Sequence, residues 1–503
     1  MSEVSKRISA LSPEKLELLM KRLEPKAVQN FPVEVIPRRQ IRSPRVPLTY
    51  AQERMWVLYQ LDPSSSAFNI SLAVKLEGKL DVAVLKRALA TVVRRHEVLR
   101  TTFDVTADGR SFQSVHPPPS YWPLPVTDLR HLPQSERAPE LRRLVSAEAA
   151  RPFNLQVGPT FRTSLICQNV DEHALLLSLH HIIADGWSIG ILVREITVLY
   201  AAFAAGAPSP LTDLPIQYAD FAVWQRQWLQ GEVLQKQLDY WRRQFTDLPG
   251  ELDLPTDFPR QPVQSFRGER EFISLSEKLS AQLKVLGQRE GATLFMTLLA
   301  TFQLLLHQYS GQDNILIGTN IANRNRGSIE KLIGFFVNNI VLRTNLSGNP
   351  TFRQLLARAR DVTLGAYAHQ DVPFEMLLED IRPERKNHVS PLFQVMLVLQ
   401  NAPFPTVEVE GLKLSLLDSS SETSNFDLVL FMTEAGRQLT GQLDYNTDLF
   451  TAATVRRLLD RFQNLLRAIA ADPEARIDSL SMSTLAETAQ LTGSFNAPFE
   501  ESY

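Results

Sequence analysis

The sequence has little of what several protein classes require. Cys167 is the only cysteine among 503 residues, which excludes an internal disulfide, a cysteine-based zinc site and a redox pair. The 53 Lys and Arg residues nearly balance the 55 Asp and Glu residues, so a net charge of −2 offers no general attraction for nucleic acid or an anionic membrane. No apolar run approaches the roughly 20 residues that span a bilayer, and the polar N-terminus does not fit a signal peptide. These absences predict a soluble, cytoplasmic protein without nucleic-acid or membrane partners.

What the sequence does contain is typical of a large folded protein. Apolar residues make up 44% of the chain and charged residues 21%, and the length suits two or three compact units. Apolar residues at helical spacing between residues 13 and 23 suit either a docking helix or a frayed surface segment. Proline content and periodicity predict a leader at 1–45, a first lobe at 46–246, a proline-rich crossing at 247–266, a second lobe at 267–486 and the start of a linker at 487–503.

Both lobes alternate between segments typical of strands and segments typical of helices. Alternating polar and apolar residues predict strands at 161–167 and 174–181, and apolar residues at helical spacing predict a helix at 188–203. Asp81 is a suitable N-cap for a helix that runs to Arg95. The chain is therefore predicted to be α/β, and the similar order of elements in the two lobes suggests a duplicated fold.

One polar cluster stands out, because residues 180–188 read His-His-Ile-Ile-Ala-Asp-Gly-Trp-Ser. His180 and His181 end a predicted strand, where neighbouring side chains point to opposite faces, and the pattern leaves open which of them faces a channel. Gly186 permits a sharp turn whose amide can point at a ligand, at a helix N-terminus that favours negative charge. Taken alone, the cluster indicates acid–base chemistry only moderately, because a single strand-end histidine is more often structural. No third ligand at metal-binding spacing accompanies it.

The cluster resembles the HHxxxDG motif of the condensation domains of nonribosomal peptide synthetases, which are relatives of chloramphenicol acetyltransferase. Further segments match motifs of that family in the expected order, namely residues 49–56, 95–103, 218–224, 333–339 running on to Arg343, 369–375 and 391–394. Residues 386–390 depart from the last of these motifs. The resemblance extends from about Leu48 to Met482.

The resemblance implies a fold and a reaction. It implies two chloramphenicol acetyltransferase-like α/β-sandwich lobes, arranged as a V-shaped pseudo-dimer with a central tunnel. A donor acyl or aminoacyl thioester and an acceptor aminoacyl thioester are expected to enter from opposite mouths and to be joined by an amide bond. The 4′-phosphopantetheine arms of partner carrier proteins deliver these substrates, and the chain itself is expected to bind no cofactor and no metal. The implied partners are a donor carrier protein acting in trans or an acyl-CoA, a downstream acceptor peptidyl carrier protein, and an adenylation domain that follows in the same polypeptide.

The resemblance also implies roles for single residues. His181 is expected to form a hydrogen bond with the attacking amine, either as a general base or as a positioning group, and the Gly186 amide is the candidate oxyanion donor. Within the same catalytic motif, His180 is expected to matter for packing, and Asp185 to form a structural ion pair for which Arg343 is the candidate partner. The residues expected to line the substrate tunnel are Trp187, Ser188 and Asn338.

Related activities differ from this sequence at identifiable positions. Epimerisation domains carry a tryptophan where this chain has Ile189, and heterocyclisation domains replace the first histidine with aspartate. The alternative function is a non-catalytic, carrier-binding platform, but such members typically lose the second histidine, which His181 retains here. Because Met1 precedes the first lobe by only about forty residues, a starter-type domain that N-acylates the first amino acid is slightly favoured over an elongation domain.

Overall fold

A computed structural model gives the structure of the chain for the residues 35–40, 45–261, 267–383, 392–400, 407–409, 411–417, 424 and 426–480. The predicted leader helix, the departing segment 386–390 and the predicted linker 487–503 lie outside the described residues. Two compact units are distinguished, Met1–Ile36 and Pro37–Tyr503, and the description below concerns the second.

The first half of this unit contains the predicted mixture of elements. Its helices are α1 (Tyr50–Leu61), α2 (Val82–Arg95), α3 (Gln134–Ala149), α4 (Gly186–Ala204), α5 (Tyr218–Trp228) and α6 (Gly231–Gln244). Its strands are β1 (Val46–Pro47), β2 (Asn69–Gly78), β3 (Thr101–Val105), β4 (Ser111–Val115), β5 (Val126–Asp128), β6 (Phe161–Cys167) and β7 (Glu172–His180). Asp81 caps α2 as predicted, since its carboxylate accepts hydrogen bonds from the backbone N–H groups of Ala83 and Val84.

The second half repeats the alternation with longer connections. Its helices are α7 (Glu277–Arg289), α8 (Leu294–Ser310), α9 (Phe352–Ala368), α10 (Phe374–Ile381) and α11 (Ala452–Ala471). Its strands are β8 (Gly268–Ser274), β9 (Asn314–Ile321), β10 (Asn338–Asn345), β11 (Val395–Gln400), β12 (Val407–Val409), β13 (Leu412–Leu416), β14 (Leu428–Ala435) and β15 (Gln438–Asn446).

Each half contributes a mixed sheet, and a pair of strands crosses between the halves. In the described residues the first sheet has the order β12-β13-β2-β7-β6-β5 and the second has the order β10-β9-β11-β14-β15-β8. Strands β12 and β13 therefore follow the second half in sequence but belong to the first sheet, where β13 pairs with β2 from Leu412 opposite Gly78 to Leu416 opposite Val74. The boundary predicted at 267–486 did not anticipate this exchange, which covers the otherwise unpaired edge of β2.

Helix α4 is the central helix of the first lobe. Its 19 residues and mean hydropathy of 1.4 would by length and composition suffice to cross a membrane, but a buried core helix has the same properties. Leu192, Ile196 and Leu199 of this helix are buried, and the helix packs against α2. Its first residue, Gly186, lies five positions after His181, so packing of the core fixes the position of the loop that bears the candidate active site.

Candidate active site

His180 is a buried, neutral side chain. It is the last residue of β7, and its Nδ1 accepts a hydrogen bond of 3.1 Å from the backbone N–H of Ile182. The edge of its ring meets Phe153, with ring centroids 6.1 Å apart. Burial in these surroundings lowers the pKa of His180 to about 3, and the neighbouring His181 acts in the same direction. The surroundings therefore suit a packing role rather than proton transfer.

His181 differs from its neighbour because its ring is only partly covered. It packs edge-to-face on Phe335 of the second half, with ring centroids 4.8 Å apart. Burial lowers the pKa of His181, while Asp185 and the carbonyl groups of His181 and Ala184 act in the opposite direction. Its Nδ1 is buried and makes no well-aligned hydrogen bond to any residue in the described ranges. The imidazole is therefore neutral, and the residue is partly exposed beside Phe335.

The expected partner of Asp185 was wrong, because Arg324 rather than Arg343 pairs with this carboxylate. Arg324 Nη2 lies 3.0 Å from Asp185 Oδ1, and both side chains are buried. Arg343 lies on β10, and its guanidinium donates instead to the backbone carbonyls of Gln244 and Thr246. Arg324 follows β9 by three residues, in the polar stretch Asn323-Arg324-Asn325-Arg326. This basic stretch directly after a strand was the sequence signal that could have identified Arg324 as the partner of Asp185.

Asp185 joins the two halves through further hydrogen bonds. Its Oδ1 accepts from the backbone N–H of Ser188 at 2.8 Å, which caps α4, and its Oδ2 accepts from the backbone N–H of Phe336 at 3.0 Å. Ser188 is fully buried, and its hydroxyl contacts Asp185, Arg324 and the backbone of Gly334. The prediction that Ser188 lines the tunnel is therefore wrong. Ser188 lies at the buried N-terminus of α4, where its hydroxyl forms hydrogen bonds with Asp185 and Arg324.

Two aromatic side chains strengthen the same contact. Trp187 is half-exposed and donates from Nε1 to the carbonyl of Glu330 at 3.0 Å. The hydroxyl of Tyr218 donates to the carbonyl of Phe335 at 2.6 Å, and burial raises the pKa of this phenol. The Tyr218 ring lies so close to Gly334 that a Cβ atom added there would come within 2.0 Å of it. A glycine is thus required where the second half docks on the first.

Gly186 presents an unused amide beside these residues. It is the first residue of α4 and is exposed, with nothing within 4 Å of the position that a Cβ would occupy. The N–H group at the first position of a helix has no partner within the helix, and the partial positive charge of the helix N-terminus favours an anion there. The geometry is therefore compatible with the expected role as an oxyanion donor.

A cleft that is partly open to solvent lies between the halves. Phe335, which contacts His181, forms part of its wall, and an ion pair of 2.7 Å between Arg54 Nη1 and Glu375 Oε1 joins its two sides. Asn338 also lines the cleft, and its amide donates to the carbonyl of Val372 and accepts from the N–H of Phe374. Within the described residues, no group of three or more His, Cys, Asp and Glu side chains could hold a metal ion.

Comparisons with known proteins agree with this arrangement. A family model described as "Condensation domain" matches residues 43–492. The chain is 44% identical over 475 residues to one component of the linear gramicidin synthase of Brevibacillus parabrevis, a match that covers 94% of this chain and 6% of the relative. It is 44% identical over 451 residues to the chondramide synthase of Chondromyces crocatus, covering 90% of this chain and 12% of the relative. The chain thus spans only a small part of the length of these two relatives.

The fold is also that of solved members of this group. The crystal structure of the X-domain from teicoplanin biosynthesis superimposes with a TM-score of 0.79 at 28% identity, covering 89% of this chain and all of that domain. The two mixed sheets with their helices are the chloramphenicol acetyltransferase-like α/β lobes that the sequence predicts. With the family model matched over 450 residues and His181 of the motif in contact with Phe335 of the cleft wall, the chain belongs to the condensation domain family of nonribosomal peptide synthetases, whose members catalyse amide bond formation.

Proposed function

We propose that this chain joins a donor acyl or aminoacyl thioester to the amine of an acceptor aminoacyl thioester. The observation that carries the proposal is the position of His181, a neutral, partly exposed imidazole that contacts Phe335 of the cleft wall, with Gly186 following as the first residue of α4. A substrate amine needs a neutral hydrogen-bond acceptor, and the developing oxyanion needs a donor. His181 directly follows β7, and Gly186 is the first residue of α4.

The reaction balances without a cofactor of the chain. The acceptor nitrogen forms a bond to the thioester carbonyl carbon, the carbon–sulfur bond breaks, and the lengthened chain stays on the acceptor arm. The proton lost by the amine ends on the leaving thiol, and His181 either carries it or holds the amine in position. Bringing two tethered reactants together contributes roughly 7 kcal/mol or more as effective molarity.

We further propose the delivery of the two substrates. The donor arrives on the phosphopantetheine arm of a carrier protein acting in trans or as an acyl-CoA, and the acceptor arrives on a downstream peptidyl carrier protein. An adenylation domain follows in the same polypeptide, and the reaction takes place in the cytoplasm. An acyl-type donor would make this a starter domain that N-acylates the first amino acid.

A second candidate function is a platform that binds carriers without chemistry. The X-domain from teicoplanin biosynthesis, which is 28% identical to this chain, has been solved in complex with OxyB, so one solved neighbour of this fold binds a partner protein. The retained His181 favours catalysis, because a platform has no need of a neutral, partly exposed imidazole against the cleft residue Phe335.

Reconstitution of the reaction tests the proposal. The purified chain is mixed with a donor carrier bearing an octanoyl or aminoacyl group and an acceptor carrier bearing an aminoacyl group, and the acceptor arm is analysed by mass spectrometry. We expect an amide product, and we expect His181→Ala to reduce its rate by at least about 100-fold, the scale of general acid–base catalysis. His131→Ala, at an exposed histidine, is the matched control. Absence of product with every donor, despite carrier binding, would support the platform.

A further inference from the structure

The sheet of the second lobe has two unlike faces. On β14, Leu428, Leu430 and Met432 are at most 1% exposed and belong to the core, whereas Phe431 and Thr433 between them are only partly covered. Helices α7, α8, α9 and α11 all contact strands of this sheet. The alternate side chains therefore form a second face, which is accessible towards the carboxyl ends of β11 and β14.

The strand register aligns the accessible side chains in two rows. Asn339 pairs with Asn320, Val398 with Phe431, Phe431 with Gln442, and Gln442 with Phe272. The pairing of Met396 with Gly318, continued by two residues, places Val398 beside Asn320. We name these rows the band, and its ten residues are Asn339, Asn320, Val398, Phe431, Gln442 and Phe272 in the longer row and Gln400, Thr433, Thr440 and Ser274 in the shorter row.

The chemistry of the band is neutral and mixed. None of its ten residues is charged: four are carboxamides, three are hydroxyl residues and three are apolar. None is buried, and Phe272 is 70% exposed. A shallow depression covers its outer part and is lined by Phe272, Phe431 and Gln442 among others. Such a surface can form hydrogen bonds to amide groups while apolar side chains pack on the aromatic rings.

The band begins at the candidate active site. Asn339 lies at one end of the longer row and lines the inter-lobe cleft together with Phe335, which contacts His181. Six adjacent strands, spaced about 4.8 Å apart, carry the row about 24 Å from that cleft to Phe272. An extended peptide advances at most about 3.3–3.6 Å per residue, so the row has room for about seven residues.

We propose that the band binds the chain of the donor, an extended peptidyl group attached through its thioester at the cleft. The proposal rests on the proposed amide-forming function, because it names the substrate class of that same site. The continuity with the cleft places the start of the chain in the cleft whose wall includes Phe335, the residue that contacts His181. The carboxamides match the repeated amides of a peptide, and Val398, Phe431 and Phe272 offer apolar contacts for its side chains.

Direct binding tests the proposal without catalysis. The full chain is titrated with a hydrolysis-resistant tetrapeptidyl pantetheine amide and, separately, with pantetheine alone. We expect the peptidyl compound to bind more tightly, and we expect Phe272→Ser and Gln442→Met each to reduce the ratio of the two affinities about tenfold. Val170→Ser, which removes an equally exposed apolar side chain at the β6–β7 turn, is the matched control and should leave the ratio unchanged. Equal weakening of both compounds would assign the band to the pantetheine arm and overturn the proposal, as would an unchanged ratio.

Turnover separates this proposal from the proposed function. With tetrapeptidyl and acetyl donors on the same carrier, the ratio of their kcat/KM values should fall about tenfold in Phe272→Ser and in Gln442→Met. If the wild-type chain binds the peptidyl compound through the band but forms no amide, the amide-forming function is refuted, whereas binding of a peptidyl group by the band is supported. A wild-type chain that forms the amide, with both ratios unchanged in the variants, would refute the band alone.

Discussion

The adjacent residues His180 and His181 have different surroundings, because successive side chains along a strand point in opposite directions. His180 packs against Phe153 in an apolar environment and stays neutral, whereas His181 is partly exposed and contacts Phe335, which lines the cleft. Asp185, four residues further on, contributes no exposed carboxylate to this cleft, because its oxygens are used in the cap of α4 and in the pair with Arg324. The motif therefore combines one side chain available for chemistry with two that hold the loop.

The ion pair of Asp185 with Arg324 predicts a specific energetic coupling. Asp185→Ala leaves Arg324 buried without its charge partner and should lower the free energy of unfolding by about 3–5 kcal/mol. A double-mutant cycle by urea denaturation should show coupling between Asp185→Ala and Arg324→Ala but additivity between Asp185→Ala and Arg343→Ala. Coupling with Arg343 instead would contradict the observed pairing.

The buried His180 predicts a pH dependence of stability. Its pKa is about 3 in the folded chain and near 6.5 when unfolded, so the unfolded state binds the proton more readily. The stability contributed by the neutral ring is fully present above pH 6.5 and is lost towards pH 3, at about 1.4 kcal/mol per pH unit.

His180→Asn tests this dependence, because its side-chain oxygen can still accept from the N–H of Ile182 but cannot take up the proton. Between pH 6 and pH 4 the wild type should lose about 1.4 kcal/mol per unit more than the variant, measured by chemical denaturation at each pH. His131→Asn, at an exposed site, serves as control and should follow the wild type. Parallel curves for the wild type and His180→Asn would show that His180 is accessible to protons in the folded chain.

The elements meet at one short segment of the second lobe, residues 333–336. This segment carries Gly334 beneath the Tyr218 ring, Phe335 against His181 and Phe336 as a donor to Asp185. Helix α4, helix α5 and the turn after β9 thus converge on it. Small changes in its backbone position act directly on the catalytic loop.

The close approach at Gly334 predicts a steric effect. Gly334→Ala places a methyl group about where the Tyr218 ring lies, and such overpacking should lower the free energy of unfolding by about 1–3 kcal/mol. Amide formation should also slow, since Phe335 must shift relative to His181. Gly327→Ala is the control, because an added Cβ meets nothing within 4 Å there. Equal melting temperatures for the two variants would contradict the contact.

The whole unit is closed by links at two separate places. One is the network of Asp185 and Arg324, next to the end of β2 at Asn69 opposite His180. The other is the exchange of β12 and β13 onto the far end of β2, between Val74 and Gly78. Both links join the first lobe to chain segments of the second half.

The pairing of β13 with β2 predicts that a substitution in β13 destabilises the sheet of the first lobe. Leu414→Ala removes a buried side chain from β13 and should cost about 2–5 kcal/mol. Hydrogen exchange of the paired amides in β2 should accelerate, because the edge of that strand loses its partner. Lys413→Ala, on the same strand but exposed, should leave the exchange rates close to those of the wild type. Unchanged protection of β2 in Leu414→Ala would show that the exchange does not support the first sheet.

The sequence by itself determined the local features. Helix caps and strand alternation depend on residues within a few positions of each other, so α2 after Asp81 and strand β6 were predicted correctly. The motif at 180–188 identified the family, because its residues are consecutive and can be recognised without knowledge of the fold. Such short-range interactions can be read without knowing the fold.

Only the tertiary structure decided which distant segments meet. Arg324 lies 139 residues from Asp185, and several arginines were equally available to it by sequence. The exchange of β13 onto β2 and the alignment of Asn339 with Phe272 across six strands likewise depend on strand order. These pairings depend on the burial of entire apolar faces of sheets and helices and on the pairing of buried charges. The free energy of both comes from many residues that are far apart in the chain.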